Sequence, residues 1–374
     1  MPDRPLRLAE RIEQMAARVL VRLPGPWHVR LSGEPPVTAD GLTFDPHAQL
    51  VRALRRKRGH PGLCLPTLQA GRARYRRESL LFRGPVTPVG SVHDFTLPGP
   101  GGPLAVRHYA PAASGPQPLT VYLHGGGFTI GDLDTHDEAC RILCAEGHIH
   151  VLSVDYRLAP EHPFPAALDD ARAALRWAQA HAAELGADPA RVAIGGDSAG
   201  GNLAAVVSIQ ARDEAPPFAQ LLIYPATDAR NERPSVRMFG EGYFLDRADR
   251  AAFTGYYLDG TGVDERDWRV APLYANDLSG LAPALVVIAG FDMLRDEGEA
   301  YALALRAAGT SVALSRVDAH GHGFLHMTGV SPGARQSMVK IARDWRTILD
   351  QARQADRLMR MSASGLGGMR IGLG

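Results

Sequence analysis

A serine hydroxyl is a weak nucleophile at neutral pH. A chain that uses one must also supply a base, an orienting acid and donors for the negative charge that develops on the attacked carbonyl. Residues 194–205, "IGGDSAGGNLAA", set Ser198 between Gly196 and Gly200 in a G-x-S-x-G pattern. The apolar run "RVAI" precedes it and the helix-like "NLAAVVSIQA" follows. Such a strand-to-helix turn can hold a serine on a strained backbone, exposed, with only small residues beside it. A structural serine in a glycine turn is the competing reading. A second glycine cluster, "YLHGGGF" (122–128), also follows an apolar run. The N–H groups of Gly125, Gly126 and Gly127, with that of Ala199, suit an oxyanion, and one such donor is worth a factor of about 10²–10³ in turnover. A phosphate loop is disfavoured. There is no G-x-x-x-x-G-K-[ST], and the only lysines are Lys57 and Lys340.

These turns need a scaffold. From about residue 118 the runs "LTVYLH" (119–124), "IHVLSVDY" (149–156), "RVAIGG" (191–196), "FAQLLIY" (218–224), "ALVVIAG" (284–290) and "SVALSRV" (311–317) read as strands. Alanine-rich amphipathic segments alternate with them. In residues 166–183, for example, Leu168, Ala171, Leu175 and Ala178 recur at helical spacing. This alternation predicts an α/β fold, a mostly parallel central sheet flanked by helices. "LAVRHYA" (104–110) is expected to add an edge strand. Residues 1–90 hold helix-like pieces without a strand series. Residues 228–282, rich in aromatics, interrupt the rhythm as a functional insertion or lid would. The tail "MSASGLGGMRIGLG" (361–374) is expected to be flexible.

"HGGGF", "DYRLAPEHPFPAAL" (155–168), "GDSAGG", "GFDMLRDEG" (290–298) and "HGF" (322–324) occur in that order. Together they resemble the hormone-sensitive-lipase family of α/β-hydrolase carboxylesterases, over roughly residues 100 to 330. The resemblance implies an α/β-hydrolase fold with a helical cap, hydrolysis of a small-molecule carboxylic ester and no cofactor. It implies Ser198 as nucleophile, Asp292 as triad acid, His322 as base, and Gly126, Gly127 and Ala199 as oxyanion donors. Asp292 and His322 both fall on loops after strands, where open α/β sheets bind ligands, and the order Ser, Asp, His is that of this fold. Asp296, Glu297 and His320 compete for the same roles. Met293 stands where proline commonly follows the aspartate, a change expected to loosen that loop.

The resulting plan assigns residues 1–90 to a helical segment contributing to the cap and 91–360 to the catalytic domain, with a cap insertion at about 228–265. Phe128, Phe244 and Phe324 are expected to line an apolar pocket for short- to medium-chain acyl groups. Amide hydrolysis by the same triad, and a ligand-binding protein of the same fold without catalysis, remain as alternatives. Members of the family often form homodimers, and that expectation is carried over.

Composition narrows the partners. With 41 basic against 40 acidic residues in 374, nothing marks a nucleic-acid surface. The arginine-rich "RALRRKRGH" (52–60) and "RARYRR" (72–77) read as a solvated or interdomain face. The first 25 residues read as an amphipathic helix rather than a secretion signal, and no stretch approaches the roughly 18 apolar residues of a membrane span. Cys64, Cys140 and Cys144 cannot all pair, which fits a reducing, cytoplasmic setting. His136, Cys140, Cys144 and His148 invite a zinc reading. At helical rise, however, the outer pair would stand roughly 18 Å apart, too far for one ion with bonds of about 2.0–2.3 Å. No metal is expected.

Overall fold

The computed structural model describes residues 20–59, 63, 67–113, 115–229 and 232–365. Most of the expected N-terminal helix, Cys64 and residues 366–374 lie outside them. Ten strands follow in chain order: β1 (Thr38–Ala39), β2 (Leu42–Thr43), β3 (Ser91–Gly99), β4 (Gly102–Ala110), β5 (Gln117–Leu123), β6 (His150–Val154), β7 (Ala187–Asp197), β8 (Gln220–Ile223), β9 (Ala284–Phe291) and β10 (Val312–Gly321). β1 and β2 form a small antiparallel hairpin. The other eight make one sheet in the order β10-β9-β8-β7-β5-β6-β4-β3. β5 to β10 pair in parallel, and β4 and β3 join antiparallel.

"LAVRHYA" is therefore not the edge. β4 lies between β6 and β3, and β3 is the outermost strand. β3 escapes a sequence reading because it is half-exposed and carries His93, Asp94 and Pro98 in place of an apolar run. The inner parallel strands β5, β6, β8 and β9 show the opposite pattern, being buried on both faces, whereas β10 at the other edge is largely half-exposed. Ala193, Leu221 and Val287 point to one side, against the helices Asp137–Gly147 and Pro332–Gly365. Their neighbours Val192, Leu222 and Val286 point to the other, against Ala166–His181, Ala199–Ala211 and Arg295–Ala307. Trp345 is fully buried in the first layer and donates its Nε1–H to Thr120 Oγ1 at 3.0 Å, so the ring's only polar atom is satisfied. The last helix continues through Gly365, into the stretch expected to be a flexible tail.

Register sets where chemistry can occur. Leu123 pairs with Gly196, Asp197 with Ile223, and Phe291 with Gly321. The glycine loop, Ser198, Asp292 and His322 therefore all leave the same carboxyl-terminal edge of the sheet. Two segments meet there. From the N-terminal side come the helices Pro46–Lys57, capped by Asp45 Oδ1 on Ala48 N (2.9 Å), and Leu68–Phe82, capped by Thr67. From the insertion come Pro234–Phe239 and Arg247–Leu258, the latter opened by an Asp246/Asp249 capping box. Asp249 Oδ1 also accepts from Leu63 N (2.5 Å), which ties the two segments together. The "RARYRR" stretch anchors its helix to the body. Arg72 pairs with Glu161 (2.7 Å), and Arg76 pairs with Asp132 and Asp134.

Candidate active site

Ser198 has φ 54° and ψ −117° at the start of the helix Ala199–Ala211. That left-handed backbone is costly for a residue with a β-carbon and persists only where its surroundings impose it. Here Ser198 N donates to Ile223 O (2.9 Å), and Ser198 O accepts from Asn202 N (2.9 Å) and Ala226 N (3.2 Å). Gly200 is required at its position, because a β-carbon there would run into the Leu123 carbonyl. Asn202, which no sequence argument singled out, holds the surrounding loops. Its Nδ2 donates to Ala226 O (2.7 Å) and Val270 O (2.8 Å).

The serine points at His322. His322 Nε2 lies 2.9 Å from Ser198 Oγ, and His322 Nδ1 lies 2.7 Å from Asp292 Oδ2. Asp292 is fully buried, and its other oxygen accepts from Leu294 N at 2.9 Å. Met293 follows directly in this loop. It is buried, and its carbonyl accepts from Ser235 Oγ (2.9 Å). The competitors have other partners. Asp296 accepts from Ser235 N, while buried Glu297 takes Thr227 N (2.9 Å) and Arg250 (3.1 Å), and His320 is buried beside Asp45 and Gly333.

Gly126, Gly127 and Ala199 line the same cleft as Ser198. Gly126 (φ 122°) and Gly127 (φ 59°) hold conformations that side chains resist, and a β-carbon on Gly127 would meet the Phe253 ring of the insertion. His124 is buried, stacks on Tyr156 with ring centres 4.3 Å apart, and faces Gly125 O at 2.8 Å. Behind the loop sits Asp197. Its Oδ1 accepts from Gly125 N (2.9 Å) and Tyr122 OH (2.8 Å) and lies 3.3 Å from His136 Nε2. Burial alone would raise this carboxyl, but His136, His326 and the Tyr122 hydroxyl together hold it well below the ordinary range. His136, Asp197 and His326 bring one donor atom each within 4.8 Å of one another, all engaged in this hydrogen-bonded network. His136 thus faces Asp197. Cys140 and Cys144 are free and buried, and burial pushes both thiols well up, that of Cys144 to about 12.

The cleft encloses about 1180 Å³, counting the part open to solvent. Phe128 and Phe244 line it, joined by Leu245, Phe253 and Val270 and, from the N-terminal helix, Tyr75 and Phe82. Phe324 does not. It is buried behind the site and packs edge-on against Tyr224 with centres 5.4 Å apart. Nor do Phe239 and Tyr243 reach the cleft, since they pack with Phe291 in the core.

Three buried histidines give the fold an acid limit. Burial pushes His108 and His124 down to about 4 and His326 to about 3, each helped by a neighbouring histidine. Each stays neutral when folded but binds a proton near pH 6.5 when unfolded. Between these values the unfolded state holds more protons, so stability falls as pH falls, by about 1.4 kcal/mol per pH unit for each group. A Tm that drops steeply from pH 6.5 to 4.5 is expected by calorimetry. A flat profile there would contradict these burial assignments.

Comparison with known proteins bears on this geometry. Residues 120–326 match a family model described as alpha/beta hydrolase fold. The carboxylic ester hydrolase LipN of Mycobacterium tuberculosis is 47% identical over 336 residues, covering 88% of this chain and 89% of that protein. The ethyl acetate hydrolase of Pseudomonas putida is 38% identical, covering 79% and 95%. Among solved structures, an ester hydrolase from a Lake Arreo metagenome superposes with TM-score 0.77 at 40% identity, covering 81% of this chain and 98% of the other. A hyperthermophilic esterase from Pyrobaculum calidifontis superposes with TM-score 0.74 at 36% identity, covering 81% and 98%. Similarity of this extent, around a cleft built on a strained serine, places the chain in the α/β-hydrolase family as a carboxylic ester hydrolase of its hormone-sensitive-lipase branch.

Proposed function

We propose that the protein hydrolyses short- to medium-chain carboxylic esters through an acyl-enzyme formed on Ser198. The observation that carries this reading is the unbroken run from Ser198 Oγ through His322 to buried Asp292, at 2.9 and 2.7 Å. His322 Nε2 takes the hydroxyl proton as Ser198 attacks the ester carbonyl, and returns it to the leaving alcohol. Asp292 keeps the Nδ1–H tautomer and stabilises the imidazolium that forms. The N–H groups of Gly126, Gly127 and Ala199 receive the oxyanion. Water activated by the same histidine then releases the acid. The relative from Pseudomonas putida is named for ethyl acetate, and the Lake Arreo enzyme was crystallised with a bipyridine phosphonate derivative. Both names suit small esters and a tetrahedral intermediate.

In this reading residues 1–90 and about 228–265 act together as the cap, the Leu63–Asp249 bond being one of its internal ties. The free thiols of Cys140 and Cys144 suit a cytoplasmic enzyme, and a homodimer is part of the proposal. Among the described residues no helix is long and apolar enough to cross a membrane.

Hydrolysis of p-nitrophenyl esters from two to sixteen acyl carbons tests the substrate class. Each methylene held against Phe244, Leu245 and Phe253 gains about 0.8 kcal/mol, and an optimum near roughly four to eight carbons is expected where that wall ends. An optimum at sixteen carbons, or hydrolysis of anilides alone, would contradict it.

A further inference from the structure

The glycine turn takes three successive residues into positive φ: Gly126 at 122°, Gly127 at 59° and Phe128 at 61°. Phe128 has a β-carbon, and for such a residue this conformation persists only where its surroundings impose it. Here every carbonyl from residue 125 to 129 has a partner. Gly125 O faces His124 Nδ1 (2.8 Å), and Gly126 O accepts from Thr129 N (3.0 Å) and Ile130 N (2.9 Å). Gly127 O accepts from Thr129 Oγ1 (2.9 Å), and Phe128 O from Ala159 N (2.9 Å). In a planar trans peptide the carbonyl and the next N–H point in opposite directions. Holding Gly125 O and Gly126 O therefore sets where Gly126 N–H and Gly127 N–H point.

The fifth carbonyl is reached from elsewhere in the chain. Thr129 O accepts from Arg72 Nε at 2.8 Å, and Arg72 Nη2 donates to Ala159 O at 2.9 Å. Ala159 is the residue whose N–H holds Phe128 O, so one guanidinium clasps both segments that close around the turn. Glu161 grips the far side of the fork, taking Nη1 and Nη2 at 2.7 Å each. A planar fork can meet all these acceptors together, and a single ammonium cannot. Arg72 lies on the helix Leu68–Phe82, in the "RARYRR" stretch whose pattern alone suggests a solvated or interdomain face. The same helix holds the other side of the site. Arg76, one turn on, pairs with Asp132 and Asp134 just past the glycine turn. Tyr75 OH lies 2.7 Å from His326 Nε2, and Phe82 O accepts from Gly329 N (2.8 Å). One element thus braces both the glycine turn and the loop after His322.

We propose that Arg72 is a positioning residue for ester hydrolysis. The N-terminal helix does more than roof the cleft. Through Arg72 it holds Thr129 and Ala159, these hold the turn, and the turn presents Gly126 N–H and Gly127 N–H to the oxyanion. The inference rests on the oxyanion role proposed above.

The test is Arg72→Met, which keeps a long side chain and a good helix former but donates to neither carbonyl. A displacement of the oxyanion donors by up to about 1 Å should lower kcat by about 10–10²-fold. KM should stay within about threefold, and phosphonylation of Ser198 by a p-nitrophenyl phosphonate should slow by the same factor as kcat. Glu161→Gln, which removes the ion pair but leaves both carbonyl contacts of Arg72, should keep kcat within about threefold. Thr129→Val changes little in shape at a fully buried residue and frees Gly127 O. It should lower kcat by about tenfold, and it carries the test if Arg72→Met does not fold. A kcat within threefold of wild type in either of these two variants would overturn the proposal. So would a rise in KM alone, the mark of a helix that only roofs the cleft. An equal loss of kcat in Glu161→Gln would overturn it too, because the ion pair and not the grip on the turn would then matter. Should Ser198→Ala retain full activity, the triad reading itself fails, an outcome separable from any result at Arg72.

Discussion

Ser198→Ala is expected to lower kcat/KM for p-nitrophenyl butyrate by about 10⁵–10⁶-fold, with the fold intact. The hydroxyl is the only atom removed, and the backbone ties that impose the turn come from main-chain groups of Ile223, Asn202 and Ala226. The alanine β-carbon occupies the same strained position, so the Tm should stay within a few degrees. The loss should fall on kcat, because the cleft walls that bind the ester are untouched. Residual hydrolysis above the water rate is expected from the remaining oxyanion donors. A loss of tenfold or less would mean that another group attacks the ester.

Asp292→Asn is the second large effect, at about 10⁴-fold in kcat. Its physical cause differs. Asp292 Oδ1 accepts from Leu294 N at 2.9 Å, so the asparagine carbonyl takes that place and turns its amide toward His322. The amide N–H then faces Nδ1, which must accept, and the imidazole proton moves to Nε2. There it points at Ser198 Oγ and cannot receive the serine proton. Substrate binding is unaffected, so KM should hold while kcat collapses. The variant should also retain its Tm, since the buried site exchanges a hydrogen bond to a carboxylate for a neutral hydrogen bond of the same shape. A fall of less than about tenfold would show that Asp292 does not set the tautomer.

The parts of this site that follow strands could be read from the sequence, and the parts made by tertiary contact could not. The inner parallel strands announce themselves because burial on both faces makes continuous apolar runs. β3 does not, being half-exposed and paired on one side only. Ser198 sits in a local pattern whose glycines are dictated by its immediate neighbours, so residue type alone locates it. The Met293 carbonyl is held by a side chain from another segment, Ser235, a contact no local pattern announces. The same is true of the pocket. An aromatic residue in the insertion can face the cleft, as Phe253 does, or the core, as Phe239 does, and only packing decides. Phe324 follows His322 and Gly323 yet turns inward against Tyr224. His136, whose spacing to Cys140 and Cys144 invites a metal reading, instead faces Asp197, a contact no local pattern announces.

The most direct test of the central claim is covalent labelling. The protein is incubated with a p-nitrophenyl alkylphosphonate, and p-nitrophenol release, intact mass and the modified peptide are then measured. One equivalent of p-nitrophenol, one phosphonyl adduct on Ser198 and complete loss of esterase activity are the expected result, with no adduct on Ser198→Ala. An adduct on another residue, or esterase activity surviving full modification of Ser198, would contradict the account.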